Sequence, residues 1–366
     1  MNAFVNGFSV FRVQQQSIGT LHTTHGGSSR VKGKRNVIIR KSTLKPLSNS
    51  VQVNCTSSYY YCRNASNVLD QPLGSRLSRG SFKRPWFFGG APRRILVWFF
   101  ADLRVEDNEA LIKAAQNGAV PGGLVLPLVA LHKEIPRSAI VELKTELQRR
   151  GSDLCVLPKF CTDSILEICH KYGIEAIYYN YAELPDQMQL QNDMITDLEN
   201  RGVQVKGFWS NTLVSPEQME NIKASDIGFR KFSQEAKNVK TSEPLRTPDK
   251  LPRVPEDIPT RMVDSSTGAA QGFSITESTA WSLLDSVPKN SESEGSFIFR
   301  LKPYLDCGCI SPRNLLDAVR NRNAKHSFSK GMLQILYSEL LWRSYVTLVA
   351  QQRLKVKSGA AIHHSA

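Results

Sequence analysis

Four amphipathic stretches along residues 94–208 each stop at a glycine, and five short runs suited to β-strands stand before, between and after them. The runs are Arg94–Phe99, Gly123–Val129, Leu154–Leu157, Ala176–Tyr179 and Val203–Phe208. Between them lie Glu106–Asn117, Arg137–Arg150, Asp163–Tyr172 and Asp186–Arg201, closed by Gly118, Gly151, Gly173 and Gly202. In Arg137–Arg150 the residues Ile140, Leu143 and Leu147 share one helical face, and a glycine just past such a face is a stop signal. The first run, RILVWF, is a near-continuous apolar strand, the pattern of a strand buried on both faces. Strands alternating with helices of this length imply βαβ units. The predicted fold class is therefore α/β, a doubly wound five-stranded parallel sheet, with ligands expected outside the carboxyl ends of its strands. The first strand is not followed by the glycine pattern of a dinucleotide fold, and no phosphate-binding GxxxxGK[ST] loop is present.

Texture changes twice more along the 366 residues. Residues 210–270 carry Pro216, Pro244, Pro248, Pro252, Pro255 and Pro259 among charges, and read as an inter-domain linker with one helix near Phe229–Lys237. Helical patterning returns over Glu277–Val287, Pro312–Arg322 behind a cap at Ser311, and Met332–Leu354. The expected organisation is a leader and linker over 1–92, an α/β domain over 93–209, the linker, a helical region over 271–356 and a polar tail over 357–366. Apolar runs stay far short of the roughly 18 residues that span a bilayer.

Charge divides unevenly. Of 47 basic and 33 acidic residues, 15 and one fall within residues 1–94, which leaves 32 of each sign in the body. The body is neutral, so composition offers no general grip on a phosphate backbone. The first acidic residue is Asp70, and the leader before it is rich in Ser, Thr, Asn, Lys and Arg. That composition predicts a chloroplast transit peptide, with a mitochondrial one as the alternative. A basic tail that binds nucleic acid or an import receptor is the other reading. Seven cysteines are scattered without zinc spacing, and the Cys307-Gly308-Cys309 pair is expected reduced, buried at a helix start. No metal site and no catalytic side chain is predicted.

Three segments carry a resemblance. Val97-Trp98-Phe99-Phe100-Ala101-Asp102-Leu103-Arg104-Val105-Glu106-Asp107-Asn108-Glu109-Ala110-Leu111 resembles the opening of photolyases and cryptochromes, departing only at Phe100 and Ala101. Pro303-Tyr304-Leu305-Asp306-Cys307-Gly308-Cys309-Ile310-Ser311-Pro312-Arg313 resembles the family's P-Y-L-x-x-G-x-I-S-P-R, and Glu339-Leu340-Leu341-Trp342-Arg343 its E-L-L-W-R. Glu277–Leu284 aligns loosely with another family helix. The order and spacing are similar to those of short, plant-type, DASH-related blue-light photoreceptors that end soon after E-L-L-W-R.

The resemblance implies a truncated all-α flavin domain behind the α/β domain, a flavin adenine dinucleotide (FAD) cofactor and a folate-type antenna. It implies a blue-light photoreceptor, with a light-dependent DNA photolyase (a deoxyribodipyrimidine lyase) or a non-catalytic scaffold of the same fold as alternatives. Arg343 matches a position near the flavin phosphates. Where the family carries hydroxyls before P-Y-L, this chain has Ile298-Phe299-Arg300-Leu301-Lys302, leaving Arg300, Lys302 and the out-of-register Ser296 as the polar candidates. Glu339 and Trp342 match the pair that meets a DNA lesion, although an aromatic at this helical spacing equally suits a core. Arg104 and Asp107 match signature positions and equally suit a brace for the first βα turn. Tyr178-Tyr179-Asn180-Tyr181 either stacks on an antenna or forms an exposed aromatic strand end. A truncated helical domain would leave an apolar face of Leu333, Ile335, Leu336, Leu340, Leu341, Tyr345 and Leu348 for a homodimer or protein partner.

Overall fold

The computed structural model describes residues 93–132, 135–219, 222, 228–260, 274–285, 294–322 and 330–363. The leader read over residues 1–92 lies outside them, as does Val287, the expected end of a helix.

Five strands form as the sequence pattern requires: β1 (Arg94–Phe99), β2 (Leu124–Ala130), β3 (Cys155–Leu157), β4 (Ala176–Asn180) and β5 (Gln204–Phe208). They pair in parallel in the order β3-β2-β1-β4-β5, so the chain winds outward from β1, returns, and winds outward on the other side. Helices α1 (Glu109–Gly118), α2 (Arg137–Arg149), α3 (Thr162–Tyr172) and α4 (Pro185–Asn200) make the crossovers. Alternation along β1 divides its side chains between two layers. Ile95, Val97 and Phe99 join α1 and α2, while Leu96 and Trp98 join α3 and α4. At the sheet edge Gln204 and Lys206 are exposed and Val205 and Gly207 are only partly buried, because a neighbour covers β5 on one side alone.

Helix α1 starts three residues later than its periodicity suggests. The Asn108 side chain accepts the Leu111 N–H at 3.0 Å and sets the cap, and Asp107 before it takes a left-handed φ of +52°. Asp107 alone does so among the described non-glycine residues. Aspartate tolerates that region better than most residues, and here the cost is carried by the contacts its carboxylate makes.

The expected linker is bound to the α/β unit. After helix α5 (Phe229–Ala236), residues 239–260 run without helix or strand, where the prolines suit a strap without partners in a sheet. Leu251 N–H donates to Arg150 O at 2.8 Å, Thr247 Oγ1 to Val105 O at 2.8 Å, and Val156 N–H to Pro259 O at 2.8 Å. Leu251 and Ile258 are buried along the way. Helical periodicity is blind to such a segment because its anchoring comes from individual hydrogen bonds.

The remaining helices are α6 (Glu277–Asp285), α7 (Glu294–Asp306), α8 (Pro312–Arg322) and α9 (Lys330–His363). Ser311 caps α8 as expected, accepting from Arg313 N–H at 3.1 Å. Helix α7 was not predicted, since Pro303 falls within it; the run Ile298–Lys302 is a helical surface rather than a phosphate loop. Cys307 and Cys309 accordingly follow a helix end and do not begin one. The apolar face of α9 is also corrected. Leu336, Leu340, Leu341 and Leu348 are buried within this chain's own core and Leu333 and Tyr345 pack against it, leaving Ile335 and Trp342 exposed. The cause is that α9 packs against α4, α5, α7 and α8. No described helix is long and apolar enough to cross a membrane.

Because Leu251 is buried, Leu251→Ala is expected to cost about 2–3 kcal/mol in urea unfolding. A change within about 0.5 kcal/mol, the usual effect at a surface position, would return residues 239–260 to the status of a loose linker.

Candidate functional site

In an open α/β sheet a crevice forms where the strand order reverses, here between β1 and β4 at their carboxyl ends. Three loops meet there: Phe100–Asn108 after β1, Tyr181–Leu184 after β4, and Trp209–Thr212 after β5. Each apolar strand hands over to polar residues at its end, and those residues build the site.

Asp102 lies at the centre, fully buried. Its Oδ1 accepts from Phe100 N–H at 2.9 Å, and its Oδ2 accepts from Asn180 Nδ2 at 2.6 Å and Asn108 Nδ2 at 3.0 Å. Burial pushes its carboxyl above the ordinary range, and the amide of Asn180 and the charge of Arg104 work against that. Asn180 also donates to Asn108 Oδ1 at 2.8 Å, so the first and fourth strand ends are tied by side-chain amides.

Arg104 fills the crevice itself, 1% exposed. Nη1 donates to Asn211 Oδ1 at 2.8 Å and to Gly308 O at 3.0 Å. Nη2 donates to Ser210 O at 3.0 Å and Asp107 O at 3.2 Å, and Nε to Glu106 O at 3.1 Å. One guanidinium thus gathers the loops after β1 and β5 and the turn after α7. Its burial weakens its hold on its proton, while Asp107 and Asp102 supply the opposing charge.

Two arginines, through three ion pairs, fasten the helical region beside it. Arg313, at the start of α8, binds Asp107 with two hydrogen bonds, Nη2 to Oδ1 at 2.8 Å and Nε to Oδ2 at 3.0 Å. Ser311 Oγ donates to the same carboxylate, and Leu245 N–H from the strap donates to it at 2.7 Å. On α9, Arg343 Nε and Nη2 donate to Glu183 Oε2 at 2.9 and 2.6 Å, and Nη1 to Asp306 Oδ1 at 2.7 Å. Burial pushes the Glu183 carboxyl up; the Arg343 charge counters it.

The residues singled out for a cofactor do not converge. Arg343 is buried and held by two carboxylates; a phosphate could reach it only by displacing them. It does not fit the role of a free phosphate ligand. Arg300 is half-buried on α7 and Lys302 is exposed beside it; the side chain of Ser296 lies outside the described residues. Trp342 is 45% exposed, its ring edge-on to Phe229 at 5.1 Å and tilted to Tyr345 at 5.6 Å, and Glu339 one turn earlier is half-buried. Trp342 thus joins an aromatic cluster at the surface and is not core. Tyr178, Tyr179 and Asn180 are buried, and Tyr181 stacks on Trp209 at 4.1 Å; they are not an exposed strand end.

Glu183, Asp306, Ser210 and Asn211 went unread in the sequence. Their one signal is position: Glu183, Ser210 and Asn211 lie two or three residues past a strand, and Asp306 ends a helix within a motif. A further group, Glu277 at the start of α6, is pushed up to about 7 by burial and by Glu106 and Glu142, against the pull of Arg104.

A family model described as DNA photolyase matches residues 95–255. The chain is 24% identical over 307 residues to a cryptochrome DASH of a Synechocystis strain, a match that covers 71% of this chain and 61% of that protein. It is 24% identical over 352 residues to the blue-light photoreceptor PHR2 of Arabidopsis thaliana, covering 80% of this chain and 77% of that one. Among solved structures, the cryptochrome of Synechocystis sp. PCC6803 superposes with a TM-score of 0.57 at 20% identity, over 72% of this chain and 62% of that chain. The chain spans about three fifths of the length of the DASH protein.

Removing Arg343 would strand a buried carboxylate, so Arg343→Ala is expected to cost the cofactor-free protein about 3–5 kcal/mol. If Arg343 served only to hold a phosphate, unfolding without ligand would be unaffected. For Glu277, a native value near 7 against an ordinary 4.5 means the folded state binds the extra proton between those limits. Stability contributed by this group is full below about 4.5 and is lost as pH rises to about 7. Glu277→Gln is therefore expected to gain on the wild type between pH 5 and pH 8 in paired urea titrations; a constant difference would refute the shift.

Proposed function

We propose that the chain, similar in sequence and fold to photolyases and cryptochromes, is a member of that family and a blue-light photoreceptor. The carrying observation is extent: the match to PHR2 runs through most of both chains, whereas the match to the DASH protein leaves much of that protein uncovered. The neutral body of the chain favours sensing over repair, because a photolyase must hold a polyanion against salt. The composition of the leader supports delivery to the chloroplast, with the mitochondrion as the alternative.

The chromophore this reading calls for is FAD, which when bound supplies light absorption and electron transfer. With Arg343 committed to Glu183 and Asp306, its phosphates are left with Arg300 and Lys302 on α7 as the described candidates from the sequence. Two residues apart on a helix, Arg300 and Lys302 point to different sides of α7, so neither can back the other on one phosphate and loose association is the expectation. A folate-type antenna and a lesion contact at Glu339 and Trp342 belong to the second reading, DNA repair. The exposed indole of Trp342, which offers a stacking surface, is the observation in its favour.

The purified full chain is to be titrated with FAD and followed by flavin fluorescence and blue absorbance. Saturable quenching, with colour lost on dialysis, is expected. A protein that takes up no flavin at any concentration would end the photoreceptor reading and leave a scaffold. Light-dependent loss of thymine dimers from added DNA would replace it with repair.

A further inference from the structure

Two thiols meet at the domain junction. Cys307 Sγ and Cys309 Sγ lie 3.2 Å apart, across the turn that follows α7. Their backbone is pinned on every side. Leu103 N–H donates to Cys307 O at 3.2 Å, Arg104 to Gly308 O at 3.0 Å, and Cys309 N–H to Tyr304 O at 2.9 Å. Gly308 takes the left-handed conformation, φ +66°, and a Cβ there would sit 2.1 Å from Ala101 O, so the turn is wedged against the loop after β1. The fold therefore holds the two sulfurs about 1.2 Å beyond bonding distance.

The two sulfurs also differ in character. Cys307 is partly exposed, and the Cys309 thiol donating to it stabilises its thiolate, lowering its pKa. Cys309 is fully buried, and that same contact together with burial raises its own. By contrast the buried thiols of Cys155 and Cys169 are both pushed up to about 12 by burial, the signature of inert cysteines. A partly exposed thiol of lowered pKa beside a buried second thiol is the arrangement of an attacking and a resolving cysteine.

We propose that Cys307 and Cys309 are a reversible dithiol–disulfide pair that exchanges with a low-molecular-weight disulfide. The Cys307 thiolate attacks one sulfur of the small disulfide, forming a mixed disulfide and expelling one small thiolate. Cys309 then loses its proton to solvent and attacks the Cys307 sulfur, expelling the second small thiolate. The protein pair gives up two electrons and two protons; the small disulfide takes up both and leaves as two thiols. Because the turn carries the Gly308 carbonyl that Arg104 grips, the redox state is placed at the junction of sheet and helices.

The test uses glutathione on the folded full chain. After equilibration in buffers of graded glutathione and glutathione disulfide, free thiols are alkylated and the chain is digested with trypsin. The peptide Leu301–Arg313 contains these two cysteines and no others. Unalkylated peptide, lighter than the dithiol form by two hydrogens, is expected to dominate in oxidising buffer and to revert in reducing buffer. Cys309→Ser is expected to stop at a glutathione adduct on Cys307, and Cys307→Ser to take up none at Cys309. In urea the midpoint is expected to demand at least tenfold more oxidising buffer, since unfolding frees the turn. The proposal is overturned if the wild-type peptide stays doubly alkylated, if it accumulates only the glutathione adduct, or if folding leaves the midpoint unchanged.

Discussion

A buried guanidinium tolerates no missing partner. Arg104 leaves the first strand of the sheet, yet beside the Glu106 and Asp107 carbonyls of its own loop the oxygens that satisfy it come from Ser210 and Asn211 after β5 and from Gly308 after α7. Its charge is balanced by Asp102 and Asp107, each buried and each hydrogen-bonded in turn. An uncompensated buried charge costs several kcal/mol, so the sheet ends and the helical region are bound to meet wherever Arg104 is dry. The left-handed turn at Asp107 follows from this. It aims one carboxylate at Arg313, Ser311 and the strap, all of which lie far along the chain.

That arrangement changes what the crevice can do. In open α/β folds the switch point takes a ligand; here between β1 and β4 it holds a protein cation and its amide partners. The signature residues Asp102, Arg104, Asp107, Asn108, Ser311 and Arg313 are joined to one another, and Arg343 to Glu183 and Asp306. Family motifs thus mark the interface between sheet and helices in this chain. Outside it, on the helical side, Arg300, Lys302 and Trp342 remain partly or wholly exposed.

Legibility followed the range of the interaction. Strand and helix positions came from periodicity, and the stops at Gly151, Gly173 and Gly202 were right because a left-handed residue after a helix is a local requirement, as Gly173 shows at φ +57°; Gly118 is instead the last residue of α1 and is not left-handed. The cap at Ser311 was readable for the same reason. Helix α7 was missed because Pro303 argues locally against a helix, whereas burial of Phe297, Leu301, Tyr304 and Leu305 argues globally for one. Residues 239–260 looked unstructured because single hydrogen bonds leave no period. Glu183 was invisible: nothing in its neighbourhood names a partner 160 residues away.

From residue order alone the five parallel strands, their crossovers and the resemblance to photolyases and cryptochromes could be read, since each depends on patterns within a few tens of residues. The jobs of the charged motif residues could not. Whether Arg343 faces a phosphate or a carboxylate, and whether two neighbouring thiols touch, depends on which distant side chains fold up against them. Only the assembled structure settles that, because electrostatic pairing and thiol chemistry act over a few ångströms of space and are indifferent to separation along the chain.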